Sequence, residues 1–145
     1  MDNYTAYNLL ICPKLIIFDQ KNNMLVDVSV GEVLDKISIL AIKLSRIKDM
    51  DKLRNVSKEF SQLTMQIDKD FLEDDLYTEL CGVNMMLWDI EDEIREHERN
   101  SDFGESFINL ARGVYHNNDK RAAIKRKINI KYGAQFIEEK SYSEY

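Results

Sequence analysis

Between Tyr77 and Arg95 six side chains suited to recognition, Tyr77, Cys81, Asn84, Trp88, Glu91 and Arg95, recur at intervals of three or four residues. On a helix that spacing puts them on one face. A row of amide, indole, carboxylate and guanidinium groups can line a binding groove, the indole stacking on a ring while the polar groups hold hydroxyls or charge. The same row also suits the boundary layer beside an apolar seam, and the residues alone leave both readings open. Glu91 and Arg95 form an i,i+4 pair in either case.

Carboxylates make a second set. Glu32 and Asp35 share a helical turn with Lys36, and Asp89, Asp92 and Glu96 form another row. Acids paired on neighbouring helices can share magnesium, as in helical nucleotide pyrophosphatases, so Glu32, Asp35, Asp89 and Asp92 are the candidate metal ligands. The plainer account is a helix cap, a solvated ion pair and an acidic face. A third set, Arg112, Tyr115, Asn118, Asp119, Arg121 and Lys125, surrounds an expected helix start at Asn118 or Asp119. Free backbone amides and flanking cations favour an anion or phosphate there. Against this, Asn118 can serve only as a cap while the cations answer the acids of the preceding helix. With no Gly-rich phosphate loop, no Ser/His/Asp set and only His97 and His116 as histidines, the common-nucleophile hydrolases and zinc enzymes are disfavoured.

The elements that must position these groups are mostly helical. Ser29 and Glu32 have capping-box spacing, predicting a first helix to about Lys48 with Val33, Ile37, Leu40, Leu44 and Ile47 on its core stripe. Asp49 caps a second, carrying Leu53, Val56, Phe60, Leu63 and Ile67. A third runs from about Asp75 to Arg99 on a seam of Leu76, Leu80, Val83, Leu87, Ile90 and Ile94. Ser101 or Asp102 is expected to cap a fourth with Phe103, Phe107, Leu110 and Val114. His116-Asn-Asn-Asp119 is expected to break it, and a fifth runs through Lys131 to Gly133 at the C′ position, followed by a strapped tail. Residues 15–18 and 24–28, separated by Asp-Gln-Lys-Asn-Asn, suggest a short N-terminal β-hairpin. The expected fold is therefore mostly α: an antiparallel bundle of about five helices over residues 24–145, with 1–23 as an N-terminal extension containing a strand.

One Pro and five Gly among 145 residues agree with long helices, and a 44% hydrophobic composition supplies one core. Cys12 and Cys81 share no metal-type spacing, which points to a reducing compartment. The apolar stretch from Leu9 to Phe18 is interrupted by Pro13 and Lys14 and is about half the roughly 20 residues that span a bilayer, so a cytoplasmic protein without membrane insertion is expected. A net charge of −6 argues against general nucleic-acid binding. That charge is segregated: residues 68–99 hold twelve acids and three bases, residues 112–131 seven bases and one acid. The acidic and basic helices are expected to pair or to be solvated separately, although a basic face for phosphate is the sharper alternative.

The run Val28-Ser-Val-Gly-Glu-Val-Leu-Asp-Lys-Ile-Ser-Ile-Leu-Ala-Ile-Lys-Leu, with Val83-Asn and Leu87-Trp-Asp-Ile-Glu-Asp-Glu-Ile-Arg95, resembles a small family of unknown function from bacteria and viruses. Leu110-Ala-Arg-Gly-Val-Tyr115, Asn118-Asp-Lys-Arg121 and Glu138-Glu-Lys-Ser-Tyr142 extend the similarity to about residues 24–142, leaving the preceding segment as an addition or a different start. Where the family has Pro after the Ser and Glu before Ile-Lys, this chain has Val30 and Ala41. The resemblance implies a link, through neighbouring or fused glycosyltransferases, to surface-polysaccharide synthesis. Its motif falls on Glu32, Asp35, Lys36, Asn84, Trp88, Asp89, Glu91, Asp92, Arg95, Arg112, Tyr115, Asn118, Asp119 and Arg121.

The leading expectation is a helical binding module for an anionic or phosphorylated ligand, such as a nucleotide sugar or glycan intermediate, or a module with a glycosyltransferase-type protein partner. Its ligand-binding set is Lys36, Asn84, Trp88, Glu91, Arg95, Arg112, Tyr115, Asn118, Asp119, Arg121 and Lys125. The alternatives are a magnesium-dependent nucleotide phosphohydrolase using the four acids, and a structural homo-oligomeric scaffold, in its simplest form a homodimer. Convergence of Glu32, Asn84, Trp88, Arg95 and Arg112 in one polar cluster is expected under either ligand reading.

Overall fold

The computed structural model describes residues 26–141 and Ser143. Among them are five helices and no strand: α1 (Val30–Arg46), α2 (Met50–Thr64), α3 (Lys69–Leu72), α4 (Asp75–Asn100) and α5 (Glu105–Lys131). The first strand of the expected hairpin lies outside the described residues. Residues 26–28 of the second are described and form no strand.

The caps at Ser29 and Asp49 act where local chemistry predicts them, and the structure adds a third at Asp74. Ser29 accepts from the Glu32 N–H at 3.4 Å, Asp49 from the Lys52 N–H at 2.9 Å and Asp74 from the Leu76 N–H at 2.8 Å. Each satisfies one of the otherwise unpaired donors of a helix N-terminus. Gly133 has φ +62, the left-handed geometry that lets glycine end a helix at C′, and from there the chain turns back with Ala134 donating to the Asn129 carbonyl at 2.8 Å.

α4 and α5 form a long antiparallel hairpin. Leu80 clusters with Ile124 and Ile128, Gly113 passes beside Ile90, and His97 meets the Phe107 ring edge-on. α1 lies across this hairpin and contributes Leu34, Ile37, Leu40 and Ile42 to the core. Its buried face is wider than the predicted stripe, because Val33, Leu44 and Ile47 are half-buried beside a second set facing α4 and α5. Gly31 sets the approach of α1 to α5. Its N–H donates to Asn129 Oδ1 at 2.8 Å, and a Cβ there would stand 2.7 Å from that oxygen and 2.9 Å from the Lys125 carbonyl. α2 packs on the outer side of α1 and has no buried residue.

Two expectations fail between residues 101 and 119. The turn after α4 is made by Ser101 at φ 52, and Gly104, not Ser101 or Asp102, holds the N-cap position of the next helix. Asp102 instead accepts from the Gly104 N–H at 3.2 Å. The break at His116–Asp119 does not occur, so the fourth and fifth expected helices are one element of 27 residues. Asn117 is accommodated by donating back to the Gly113 carbonyl at 2.8 Å, which leaves its Oδ1 buried without a hydrogen-bond partner. Continuous packing against a 26-residue α4 outweighs the low helix propensity of two asparagines and the cost of one unmet acceptor.

Candidate functional site

Asp35 is the centre of the polar interior. Although 4% exposed, it is fully engaged: Asn84 Nδ2 donates to Oδ1 at 2.8 Å, while Arg121 donates through Nε to Oδ1 at 2.9 Å and through Nη2 to Oδ2 at 2.5 Å. A carboxylate taken out of water needs such a fork. Ser38 completes the group, donating to the Asp35 carbonyl at 2.7 Å and accepting from Asn84 at 2.6 Å. The Asp35 carboxylate holds the Arg121 guanidinium above its ordinary pKa despite opposing burial.

One turn along α5, Lys125 is buried and pairs with Glu32 of α1 and, at 3.1 Å, with Glu138 of the returning tail. Burial pulls its ammonium pKa down, but the two carboxylates outweigh that and hold it above the usual lysine value. Reciprocally, the Lys125 hydrogen bond holds the Glu138 carboxyl below its usual range. Lys140 approaches the other Glu138 oxygen at 3.8 Å. Arg121, Lys125, Glu138, Lys140, Asn118 and Ala122 enclose a small recess of about 150 Å³.

Beside this recess a cleft of about 590 Å³ opens between α1, α4 and α5. Its apolar lining is Ile39, Ile42 and Leu87. Its polar lining is Asn84, Trp88, Glu91, Asp92, Arg95, Asn118 and Arg121. Within it, Trp88 Nε1 donates to Asp92 at 3.1 Å and Arg95 donates to the Glu91 carboxylate at 2.7 Å. The arrangement offers a half-buried indole, a guanidinium pinned through its own helix and an amide, over a floor made rigid by the Asp35 network. Such a surface can stack a ring and order hydroxyls around it.

The helical row of α4 therefore divides. Asn84, Trp88, Glu91 and Arg95 line the cleft, whereas Tyr77 and Cys81 bond to one another nearer the helix start, half-buried, with both pKa values pushed up chiefly by burial. Of the remaining candidates, Asn118 and Arg121 join the cleft to the recess, and Lys125 belongs to the recess. Tyr115 and Asp119 line neither, and Lys36 points away to pair with Glu59 of α2 at 2.7 Å. Arg112 is exposed and lines neither, since nine residues at about 100° each place it on the opposite side of α5 from Arg121. The expected five-residue cluster is thus three residues in one cleft, with Glu32 reaching the recess through Lys125 and Arg112 apart.

The four acids considered for magnesium have four different partners. Asp35 is on Arg121, Glu32 on Lys125, Asp89 on Arg46 of α1 at 2.7 Å and Asp92 on the Trp88 indole. No three His, Cys, Asp or Glu side chains among the described residues stand close enough to hold one metal ion. Among the cations of α5, Lys131 pairs with Asp74 at the start of α4, while Arg121, Lys125 and Arg126 pair with carboxylates of α1 and the tail.

Ser38, Asn129, Glu138 and Lys140 were not among the sequence candidates. A signal existed for two of them: Ser38 interrupts the apolar run Ile37-Ser-Ile-Leu40 and Asn129 the run Ile128-Asn-Ile130, each a small polar residue at a core position.

No helix among the described residues is long and apolar enough to cross a membrane. No curated protein and no solved structure matches the chain. A family model does match, over residues 24–144, and the chain belongs to that family, the family of unknown function DUF6165.

Proposed function

We propose that the domain is a helical binding module for a phosphorylated ligand carrying a ring, of the nucleotide-sugar or glycan-intermediate type. The observation that supports this reading most is the continuity of two surfaces: the cleft containing Trp88 and the cationic recess share Asn118 and Arg121. A ring stacked on Trp88 would have its hydroxyls near Arg95 and Asn118 and its phosphate near Lys125 and Lys140. Arg121, already bidentate on Asp35, has Nη1 turned to Asn118 at 3.4 Å and contributes positive potential at the junction. A role in surface-polysaccharide synthesis beside a glycosyltransferase-type partner comes from the family resemblance and belongs to the same proposal.

The chain contains one tryptophan, so its fluorescence reports the cleft directly. Nucleotide sugars, nucleotides and inorganic pyrophosphate are the probes. A binding ligand is expected to change Trp88 emission and, at 100 times its Kd, to add about 2.7 kcal/mol to thermal stability. Trp88→Ala should weaken the ring-bearing probes by about 1–3 kcal/mol and pyrophosphate hardly at all. Absence of any response to all three classes overturns the proposal, and a response that requires magnesium turns it toward the phosphohydrolase alternative.

A further inference from the structure

A second groove, of about 500 Å³, runs between α4 and α5. Gly82 and Met86 of α4 and Ala123 of α5 are exposed along it, Met86 by 52%, over a floor containing Val83 and Ile124. Met86 and Trp88 are two residues apart, about 200° around the helix, so this groove and the Trp88 cleft open on opposite sides of α4. Nothing stands within 4 Å of the position a Cβ would take at Gly82. The hairpin thus presents an apolar strip to solvent at a point where its backbone can be approached closely.

The charges along this side are sorted by helix. Glu79 and Glu93 stand on α4, each seven residues from Met86 and therefore on its face. Lys120 and Lys127 stand on α5, again seven apart, and Arg112, eleven residues before Ala123, shares the face of that residue. These two acids and three bases are exposed, and none has an ion pair among the described residues. Their heights follow from the packing of the hairpin, in which Gly113 passes Ile90, Phe107 meets His97 and Leu80 clusters with Ile124. On that register Gly82 is level with Ala123, Glu93 with Arg112 and Glu79 with Lys127, each to within about two residues of helix rise.

A two-fold axis along such a hairpin exchanges left and right and preserves height. We infer that this side of the hairpin is an interface between two copies of the chain, with α4 of each lying over α5 of the other. Glu79 meets the second copy's Lys127 and Glu93 its Arg112, and every such contact occurs twice. Gly82 opposite Ala123 lets the helices come close, and Met86 packs into the facing groove. Self-complementarity selects a second copy as the occupant, because a wholly acidic or wholly basic partner leaves half of these charges against their own sign. The arrangement gives a place to Arg112, which lines neither the cleft nor the recess, and leaves both Trp88 clefts open on the outside of the pair.

Sedimentation equilibrium of the full chain tests this. The wild-type mass is expected to rise with concentration from that of one chain toward that of two. Glu79→Lys and Lys127→Glu should each weaken pairing about tenfold, since each sets like charges together at two symmetric contacts. Mixed in equal amounts, the two variants should pair as tightly as wild type, because each chain then supplies the sign the other lacks at both contacts. Gly82→Gln has room in the single chain and replaces a poor helix former, so it should remove the heavier species without lowering the melting temperature of the dilute protein. A wild-type mass of one chain at every concentration overturns the pairing and leaves the groove to a different protein. A heavier species that Gly82→Gln leaves unchanged, or charge variants that do not recover on mixing, overturns this side of the hairpin as the contact. Each of these results is independent of ligand binding at the Trp88 cleft.

Discussion

Asp35 and Asp74 are both buried carboxylates held by cations of α5, and their surroundings differ in an instructive way. Asp74 caps α4, receives Lys131 at 2.5 Å and accepts from the Tyr132 hydroxyl. Tyr132 is in turn stacked edge-on against Phe71 of α3 at 4.6 Å. Those bonds close the end of α5 onto the start of α4. Asp35 does comparable work between α1, α4 and α5, but its partners Asn84 and Arg121 are also the lining of a cleft. One carboxylate latches a helix end; the other fixes the floor of a site. Burial and charge are shared, so neither identifies a binding region, and what marks the Asp35 side is the cleft its partners line.

The comparison is tested most severely at Arg121. Replacing it with Ala strands the Asp35 carboxylate in the interior and should destabilise the protein by about 3 kcal/mol in urea melts. Arg121→Lys should recover only part of this, because an ammonium cannot reproduce the two-bond fork. A loss within about 0.5 kcal/mol for Arg121→Ala would mean that Asp35 finds water or another donor, and the rigid floor would be lost with it.

A smaller effect is expected at Gly31, where an added methyl must displace Asn129 or the Lys125 carbonyl. Gly31→Ala should cost about 1–3 kcal/mol through overpacking. In hydrogen exchange the loss of protection should fall on the first turns of α1 and spare the Leu76 amide beside Asp74. Uniform loss at both ends would show that the two regions open as one unit.

The smallest effect separates the regions by pH. The Lys131 and Tyr132 hydrogen bonds, with the Leu76 amide, lower the Asp74 pKa from 3.8 to about 2. A carboxylate with a depressed folded-state pKa contributes stability above its unfolded value, and that contribution is lost as pH falls through the folded one. Wild type should therefore lose this part between about pH 4 and pH 2, and Asp74→Asn should flatten that arm of the denaturation midpoint against pH. A variant that follows the wild-type curve would remove Asp74 from the latch.

How far the structure could be read in advance follows from the range of each interaction. Capping by Ser29 and Asp49, the C′ glycine at Gly133 and the shared face of Asn84, Trp88, Glu91 and Arg95 all depend on residues within about one to three turns, and the spacing of residue types determined them. The continuity of α5 through Asn117 and Asn118 was decided by α4 running alongside, a contact that local propensity does not contain. The partners of the charges were likewise tertiary: Asp35 finds Asn84 across 49 positions and Arg121 across 86, whereas the candidate metal set assumed that acids similar in spacing would face each other. Periodicity assigns a side chain to a face of its own helix. Which faces meet, and which are left open as a cleft, depends on how the helices cross, and here that crossing turns on a backbone approach at Gly31 too close for any side chain.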